Sequence, residues 1–279
     1  MTSAPALLKK YGLTAKRSHG QNFLVDRHAI EQIVAAATRE PGGTVLEIGP
    51  GLGALTALLL ERAARVVAVD KDPQMIAVLA RELHASVESG HLLLEEADAT
   101  TLDWHARLAD GPAPHTVVGN LPYLVTGRFL ERAVEQAAVL SRVVFMVQRE
   151  VADRLLASPG TKDYGALTVF VRAAFEPSRL LHVKAGGFFP APNVDSTVVL
   201  LDRARAPVPE TTLFRALVKL AFAQRRKTLR NAWQGLDAPR ELVARASDAA
   251  GIDLGRRGET LALEDFTRME RELEVLRRA

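Results

Sequence analysis

The chain reads as a doubly wound α/β sheet followed by a small all-helical C-terminal domain, divided as residues 1–204 and 205–279. Three observations predict this. From residue 28 to 150 short apolar runs alternate with helical repeats, the pattern of βαβ units. A glycine-rich turn separates the first apolar run from its helix. Beyond the proline-containing DRARAPVPE (202–210) the strand patterns stop.

The elements follow in order. HAIEQIVAAATR carries apolar residues at helical spacing, and Pro41-Gly42-Gly43 ends it. TVLEIG is an apolar run suited to a buried parallel strand, with GALTALLLERA as the next helix. RVVAVD is a second strand, PQMIAVLARELHA a helix with Pro73 in its first turn, and HLLLEEAD a third strand. HTVVGN, the helix FLERAVEQAA and the strand RVVFMVQ complete the alternation and imply right-handed crossovers. YGALTVFVRAAF and STVVLLD read as an antiparallel pair closing the sheet. TTLFRALVKLAFAQRRKTLRNAW reads as one helical stretch ending at Gly235, with two or three shorter helices after it.

Composition narrows the function classes. With 279 residues, 48% apolar and 25% charged, the chain can bury a core and is not a disordered type. It has no cysteine, which excludes a disulfide framework, a thiolate metal site and a cysteine nucleophile. No two of its seven histidines stand at helical metal-binding spacing, so no metal is expected. No apolar run approaches the roughly 18 residues of a membrane span, and MTSAPALLKK lacks an apolar signal core. A soluble cytoplasmic protein is expected, and nothing calls for more than a monomer. Net charge is only +3, but residues 203–279 carry +5 and the rest −2. The first acid, Asp26, follows Lys9, Lys10, Lys16 and Arg17. Basic ends around a near-neutral middle favour a polyanionic partner.

EIGPGLGALT (Glu47 to Thr56) joins the first strand to its helix. Glycines allow close backbone approach to a ligand, and a helix start offers free N–H groups. Gly49, Gly51 and Ala54 satisfy a dinucleotide fingerprint, and Asp70 stands 19 residues past Gly51, where a ribose hydroxyl would be held. That pattern leaves a nicotinamide cofactor and S-adenosylmethionine both open. Glu47, able to meet a ligand ammonium, tilts the choice towards the second. So do Pro50, which stiffens a loop with no pyrophosphate to wrap, and Asp98, placed to accept from an adenine amine. Three acids at three strand ends mark the carboxyl edge as an adenosine-cofactor site.

NLPY, Asn120 to Tyr123, stands at the end of the fourth strand. An exocyclic adenine amine is a poor nucleophile because its lone pair is delocalised into the ring. Two acceptors on its N–H bonds would draw the nitrogen towards tetrahedral geometry. Asn120 offers a side-chain carbonyl and Leu121 a backbone one, which Pro122 aims by forcing Leu121 extended. Tyr123 offers a face on which an extruded base can stack. No general base is required, because alignment and electrostatics suffice for in-line methyl transfer.

With these residues in view the chain resembles the small-subunit (16S) ribosomal RNA adenine N6,N6-dimethyltransferases over nearly its whole length. The resemblance rests on GQNFL (20–24), EIGPGLGALT, NLPY, QREVADRL (148–155), YGALTV, FFPAPNVDSTVV (188–199) and FAQRRKTLRN (222–231), in that order. It implies a Rossmann-like S-adenosylmethionine-dependent methyltransferase sheet, with a basic N-terminal arm (1–27), and a helical rRNA-binding domain. It also implies four methyl transfers to two adjacent adenosines in a hairpin near the 3′ end of the rRNA, within an immature 30S particle. By the same resemblance Asn22, Leu24, Gly49, Asp70, Asp98 and Asn120 contact the cofactor, and the reading of the glycine loop adds Glu47 and Gly51. The resemblance implies that Asn120, Leu121, Pro122, Tyr123 and Phe188 form the acceptor site and that Arg225, Arg226, Lys227 and Arg230 touch RNA, and the basic charge of the N-terminal arm adds Lys16 and Arg17 as expected RNA contacts. Two residues depart from the pattern: Asp70 replaces a usual glutamate, so that it must reach further or share the work with Asp72, and His19 replaces a usually apolar residue. The rival readings are the paralogous large-subunit rRNA adenine methyltransferases of macrolide resistance, an assembly factor whose RNA binding outweighs catalysis, and a nicotinamide dehydrogenase.

Overall fold

The computed structural model describes residues 3–16 and 21–278. It divides into two compact units, residues 1–152 with 176–203, and residues 153–175 with 204–279. His19 and Arg17, both singled out in the sequence, lie outside the described residues.

In the first unit, α1 (Ala4–Lys10) precedes the two-residue strand β1 (Phe23–Leu24) and α2 (Arg27–Ala37), which Asp26 caps by accepting from Ala29 N–H. The alternation that follows is β2 (Thr44–Ile48), α3 (Thr56–Leu59), β3 (Arg65–Asp70), α4 (Pro73–Glu82), α5 (His84–Glu88), β4 (Leu92–Glu96) and α6 (Trp104–Leu108). It continues through β5 (His115–Asn120), α7 (Thr126–Glu135), β6 (Arg142–Gln148) and α8 (Arg149–Leu156). After the excursion into the second unit come β7 (Phe175–Val183), the two-residue β8 (Phe188–Phe189) and β9 (Ser196–Arg203). Seven strands form one sheet in the order β4-β3-β2-β5-β6-β9-β7. The five strands from β4 to β6 are parallel, and β9 returns antiparallel to β6. All five residues of β2 are buried, as are four of the six in β3 and in β5, which is why these strands read as continuous apolar runs.

This order sets the place of the site. From β2 the chain winds outward to β3 and β4, then crosses back to β5 and β6 on the other side. The strand order therefore reverses between β2 and β5, and in such sheets ligands bind outside the carboxyl ends at that point. Ile48 pairs with Gly119 there, so the glycine loop and Asn120 emerge side by side. A side chain at residue 119 would come within 2.8 Å of the Ile48 carbonyl, which explains the glycine.

The second unit holds α9 (Ala166–Ala174), α10 (Thr212–Ala223), α11 (Leu229–Ala232), α12 (Arg240–Ala249) and α13 (Leu263–Arg278). Its core gathers Phe214, Trp233, Phe266, Met269 and Leu273, all buried. The two polar tips inside it are satisfied: Trp233 Nε1 donates to Leu217 O at 3.0 Å and Tyr164 Oη to Leu261 O at 2.9 Å.

Three expectations are corrected. Residues 166–174 form α9, not a strand, and residues 153–175 cluster with the C-terminal helices although the sequence pattern puts 1–204 in one domain. The β-branched run TVFV favours a strand by propensity, but five of the nine residues of this short segment are buried and none is exposed. Periodicity then no longer separates a buried strand from a buried helix. The third concerns 212–235, which is not one helix: Gln224 adopts φ −139° and ψ 91°, and helix resumes only at Leu229. There Thr228 bridges to Arg257, while Leu229 and Arg230 N–H donate to Arg256 O and Leu254 O. These non-local bonds outweigh the helix preference of the basic segment.

Candidate active site

Asn22, Leu24, Glu47, Gly49, Gly51, Asp70, Asp98 and the whole stretch Asn120–Tyr123 line one cavity of about 870 Å³. That is the size range of a cofactor site. Leaving β2, Gly49 turns at φ +67° and Gly51 at φ +55°, conformations that a side chain would strain. The loop backbone is thereby brought against the cavity, with Gly49 N–H donating to Val69 O at 2.9 Å.

The acids differ in state. Glu47 is 1% exposed and its Oε2 has no hydrogen-bond partner among the described residues. Burial pushes its carboxyl up to about 7, Asp70 adds to the rise, and the neighbouring Thr56 opposes it. Yet Thr56 Oγ1 is itself without a partner among the described residues, so the hydroxyl does not close a bond to Glu47. A buried carboxyl with an orphaned oxygen suits a cationic ligand group. Asp70 is also raised by burial, against hydrogen bonds from the N–H groups of Asp72 (2.9 Å) and Gly51 (3.4 Å). Asp98 is exposed and lowered, because Thr100 donates to it through its hydroxyl at 2.7 Å and its N–H at 2.9 Å. Together a glycine turn, an orphaned buried carboxyl and two further acids fit an adenosine ligand that carries positive charge.

Asp72, the residue expected to share the work of Asp70 if the shorter acid falls short, also lines the cavity, and its carboxylate already has several partners. It is 1% exposed and caps α4, accepting from Gln74 N–H at 3.1 Å. It also accepts from Lys16 Nζ at 2.9 Å and from Gln21 Nε2 at 2.9 Å. Burial would raise this carboxyl, but Lys16, Gln74 and Gln21 hold it below its ordinary value. Lys16, expected on RNA, is held by Asp72 in this structure, and its ammonium clips the N-terminal segment to the start of α4.

The acceptor residues are tightly placed. Asn120 Nδ2 donates to the Asn22 carbonyl at 2.8 Å. That bond assigns the amide its orientation and leaves Oδ1 as the end available to a ligand amine. Leu121 N–H donates to Met146 O at 3.1 Å, and among the described residues no donor reaches the Leu121 carbonyl. Tyr123 Oη meets Ser196 Oγ at 2.9 Å, and burial raises the phenol. Ser196 is fully buried at the start of β9, opposite Gln148.

Phe188 is not part of the cavity. It pairs with Leu24 in the β1–β8 ribbon and is 4% exposed, packed among Leu24, Ile30 and Val183. Successive strand residues face opposite sides, so it is Phe189, paired with Phe23, that stands 41% exposed. In the second unit Arg225, Arg226, Lys227 and Arg230 are all exposed. Arg225 pairs with Glu259 at 3.1 Å, while the other three side chains have no partner among the described residues. Sequence reasoning missed the structural role of Asp72, signalled by an acid directly before Pro73 at a helix start. It also missed Ser196, which nothing in the sequence marks as Tyr123's partner.

A sequence model of the family described as "Ribosomal RNA adenine dimethylase" matches residues 12–274. A "Ribosomal RNA small subunit methyltransferase A" of Anaeromyxobacter sp. (strain K) is 45% identical over 283 residues, covering 97% of this chain and 98% of its own. Among solved structures, a dimethyladenosine transferase from Plasmodium falciparum matches with TM-score 0.79 at 23% identity, over 91% of this chain and 98% of its own. The 23S rRNA methyltransferase ErmE matches with TM-score 0.68 at 28% identity, over 91% of this chain and all of its own.

Proposed function

This chain belongs to the ribosomal RNA adenine dimethylase family, and from that premise we propose that its cavity is where two adjacent adenosines of small-subunit rRNA receive methyl groups on N6. The enzyme depends on S-adenosylmethionine, which when bound supplies an electrophilic methyl group on a sulfonium. Everything else falls to this chain's own residues. Glu47, with its orphaned oxygen, takes the cofactor's ammonium, Asp70 the ribose hydroxyls and Asp98 the adenine amine. At the acceptor, Asn120 Oδ1 and the Leu121 carbonyl receive the two N–H bonds of the target amine and turn its lone pair outward. Both acceptors are neutral, so neither forms an ion pair with the cofactor's positive charge. Tyr123, held at its hydroxyl by Ser196, gives the extruded base a face to stack on.

The observation that carries this reading is the 2.8 Å bond from Asn120 Nδ2 to Asn22 O, because it makes the free end of the amide an acceptor. An amine with two protons to share needs that polarity, and a hydride-transfer site does not. The small subunit is favoured over the large by the 45% identical relative, against 28% for the 23S enzyme. The exposed Arg226, Lys227 and Arg230 of the helical unit would seat rRNA phosphates, and the substrate is the rRNA of an immature 30S particle in the cytoplasm. Every acceptor residue comes from one chain, so a monomer suffices.

The test is incubation with labelled S-adenosylmethionine and separated subunits from a strain lacking the modification. Label should enter the small subunit, and Asn120→Ala should lower the rate by about 10²–10³-fold, as for loss of one preorganised polar group. Labelling of the large subunit alone, or a near-normal rate in Asn120→Ala, would overturn the proposal.

A further inference from the structure

Leu124 is 93% exposed, the most exposed large apolar side chain among the described residues. It belongs to the 3₁₀ turn Tyr123–Val125 that joins the acceptor motif to α7. Its two neighbours, Tyr123 and Val125, line the cavity, and Leu124 does not. The turn is tied down at its base, with Val125 N–H and Thr126 Oγ1 both donating to the Pro122 carbonyl, at 3.1 and 3.2 Å. The leucine is therefore held at the rim, next to the ring on which the target base would stack.

A single exposed leucine is ordinary on a protein surface and needs no explanation alone. Arg128 supplies the second observation. It lies four residues on, in the first turn of α7. It lines the same cavity, and its guanidinium has no hydrogen bond or ion pair among the described residues, although it lies within electrostatic reach of Asp98. An exposed aliphatic side chain on the turn that carries the stacking ring, together with a guanidinium that lines the cavity and has no partner among the described residues, matches what an extruded nucleotide requires. Pulling a base from a stack leaves a gap between its neighbours that an apolar side chain can fill. The phosphate beside the gap needs a cation.

We infer that Leu124 is a wedge that enters the stack vacated by the target adenosine, and that Arg128 holds the phosphate next to it. The inference rests on the function proposed above. It gives the reaction a part that neither the cofactor residues nor the two amine acceptors supply, namely keeping the base out while it is methylated. The occupant of this rim is thus the RNA strand flanking the target.

The experiment uses the full chain and an RNA hairpin with 2-aminopurine in place of the target adenosine, a base whose fluorescence rises on unstacking. Wild type and Leu124→Met should raise the fluorescence on binding. Leu124→Ala should bind the hairpin within about twofold of wild type but show less than half the rise. It should methylate small subunits at saturation about tenfold more slowly, equivalent to ~1.4 kcal/mol, with an unchanged thermal midpoint. Arg128→Gln should weaken hairpin binding and lower its salt slope by about 0.7. Wild-type fluorescence and rate in Leu124→Ala would overturn the wedge, as would a lowered thermal midpoint, which would make the leucine structural. Asn120→Ala run alongside separates the two ideas. If it loses methylation while Leu124→Ala does not, only the wedge fails, and if it retains methylation, the proposed function fails.

Discussion

Replacing Glu47 by glutamine should move two properties of this protein in opposite directions. The carboxyl is buried, one of its oxygens has no partner among the described residues, and burial pushes it up to about 7 from the ordinary 4.5. Between those two values the folded chain keeps a proton that the unfolded chain has released. Stability therefore falls as pH rises through the window and stays lower above it. At about 1.36 kcal/mol per pH unit, the ligand-free protein forfeits on the order of 3 kcal/mol by pH 7. Glutamine does not titrate, so the difference in stability between variant and wild type should grow by that amount from pH 4.5 to 7.5, whatever constant offset its amide brings. Urea unfolding can read this through Trp104, buried in the first unit, in a Trp233→Phe background. Cofactor binding should show the reverse. A ligand cation beside the carboxyl draws off its proton, so titration calorimetry at pH 6 in buffers of different ionisation enthalpy should record proton release in the wild type. Glu47→Gln should release none through this group and bind the cofactor more weakly. A stability difference that is flat from pH 4.5 to 7.5, or equal proton release in both proteins, would refute the reasoning.

Tyr123→Phe and Ser196→Ala each remove the same hydrogen bond, so each should slow methylation similarly and the double variant should be no slower than either. Additive losses would mean that the two residues act separately. Phe188→Ala should destabilise the protein by about 3–5 kcal/mol, as loss of a core aromatic does, and an unchanged urea midpoint would return that ring to the surface. Neutralising Arg226, Lys227 and Arg230 together should weaken RNA binding and reduce its salt slope by about 0.7–0.9 for each phosphate that no longer meets a cation. Lys16→Met should leave that slope unchanged and instead destabilise the N-terminal segment, and a reduced slope for this variant would restore Lys16 to the RNA.

The sheet was legible because a strand buried on both faces must be apolar throughout. RVVAVD, HTVVGN and RVVFMVQ coincide with β3, β5 and β6 to the residue. The glycines and acids that line the cavity were legible because a tight turn beside a ligand requires glycine, and because acids at strand ends have few structural reasons to be there. What escaped was set by contacts between segments distant in sequence. Gln224 leaves the helix because residues 228–230 bond to the 254–257 segment, which no local pattern announces. Phe188 and Phe189 have the same chemistry, and only the ribbon register with Phe23 and Leu24 decides which one faces water. Lys16 looked like one more cation on a basic arm because its partner, Asp72, is 56 residues away.

The bond from Asn120 to the Asn22 carbonyl bears on how this enzyme can vary. A backbone carbonyl is present whatever amino acid occupies position 22, so side-chain replacement there leaves the amide pointing the same way. A change of chain length before the β1–β8 ribbon is another matter. Slipping Phe23 and Leu24 by one residue against their partners exchanges which side chain faces inward and carries the carbonyl away from Asn120. Freed of it, the amide can rotate and present N–H to an amine that also presents N–H. Insertions and deletions, far more than point substitutions, are thus the changes in this segment that would silence the enzyme.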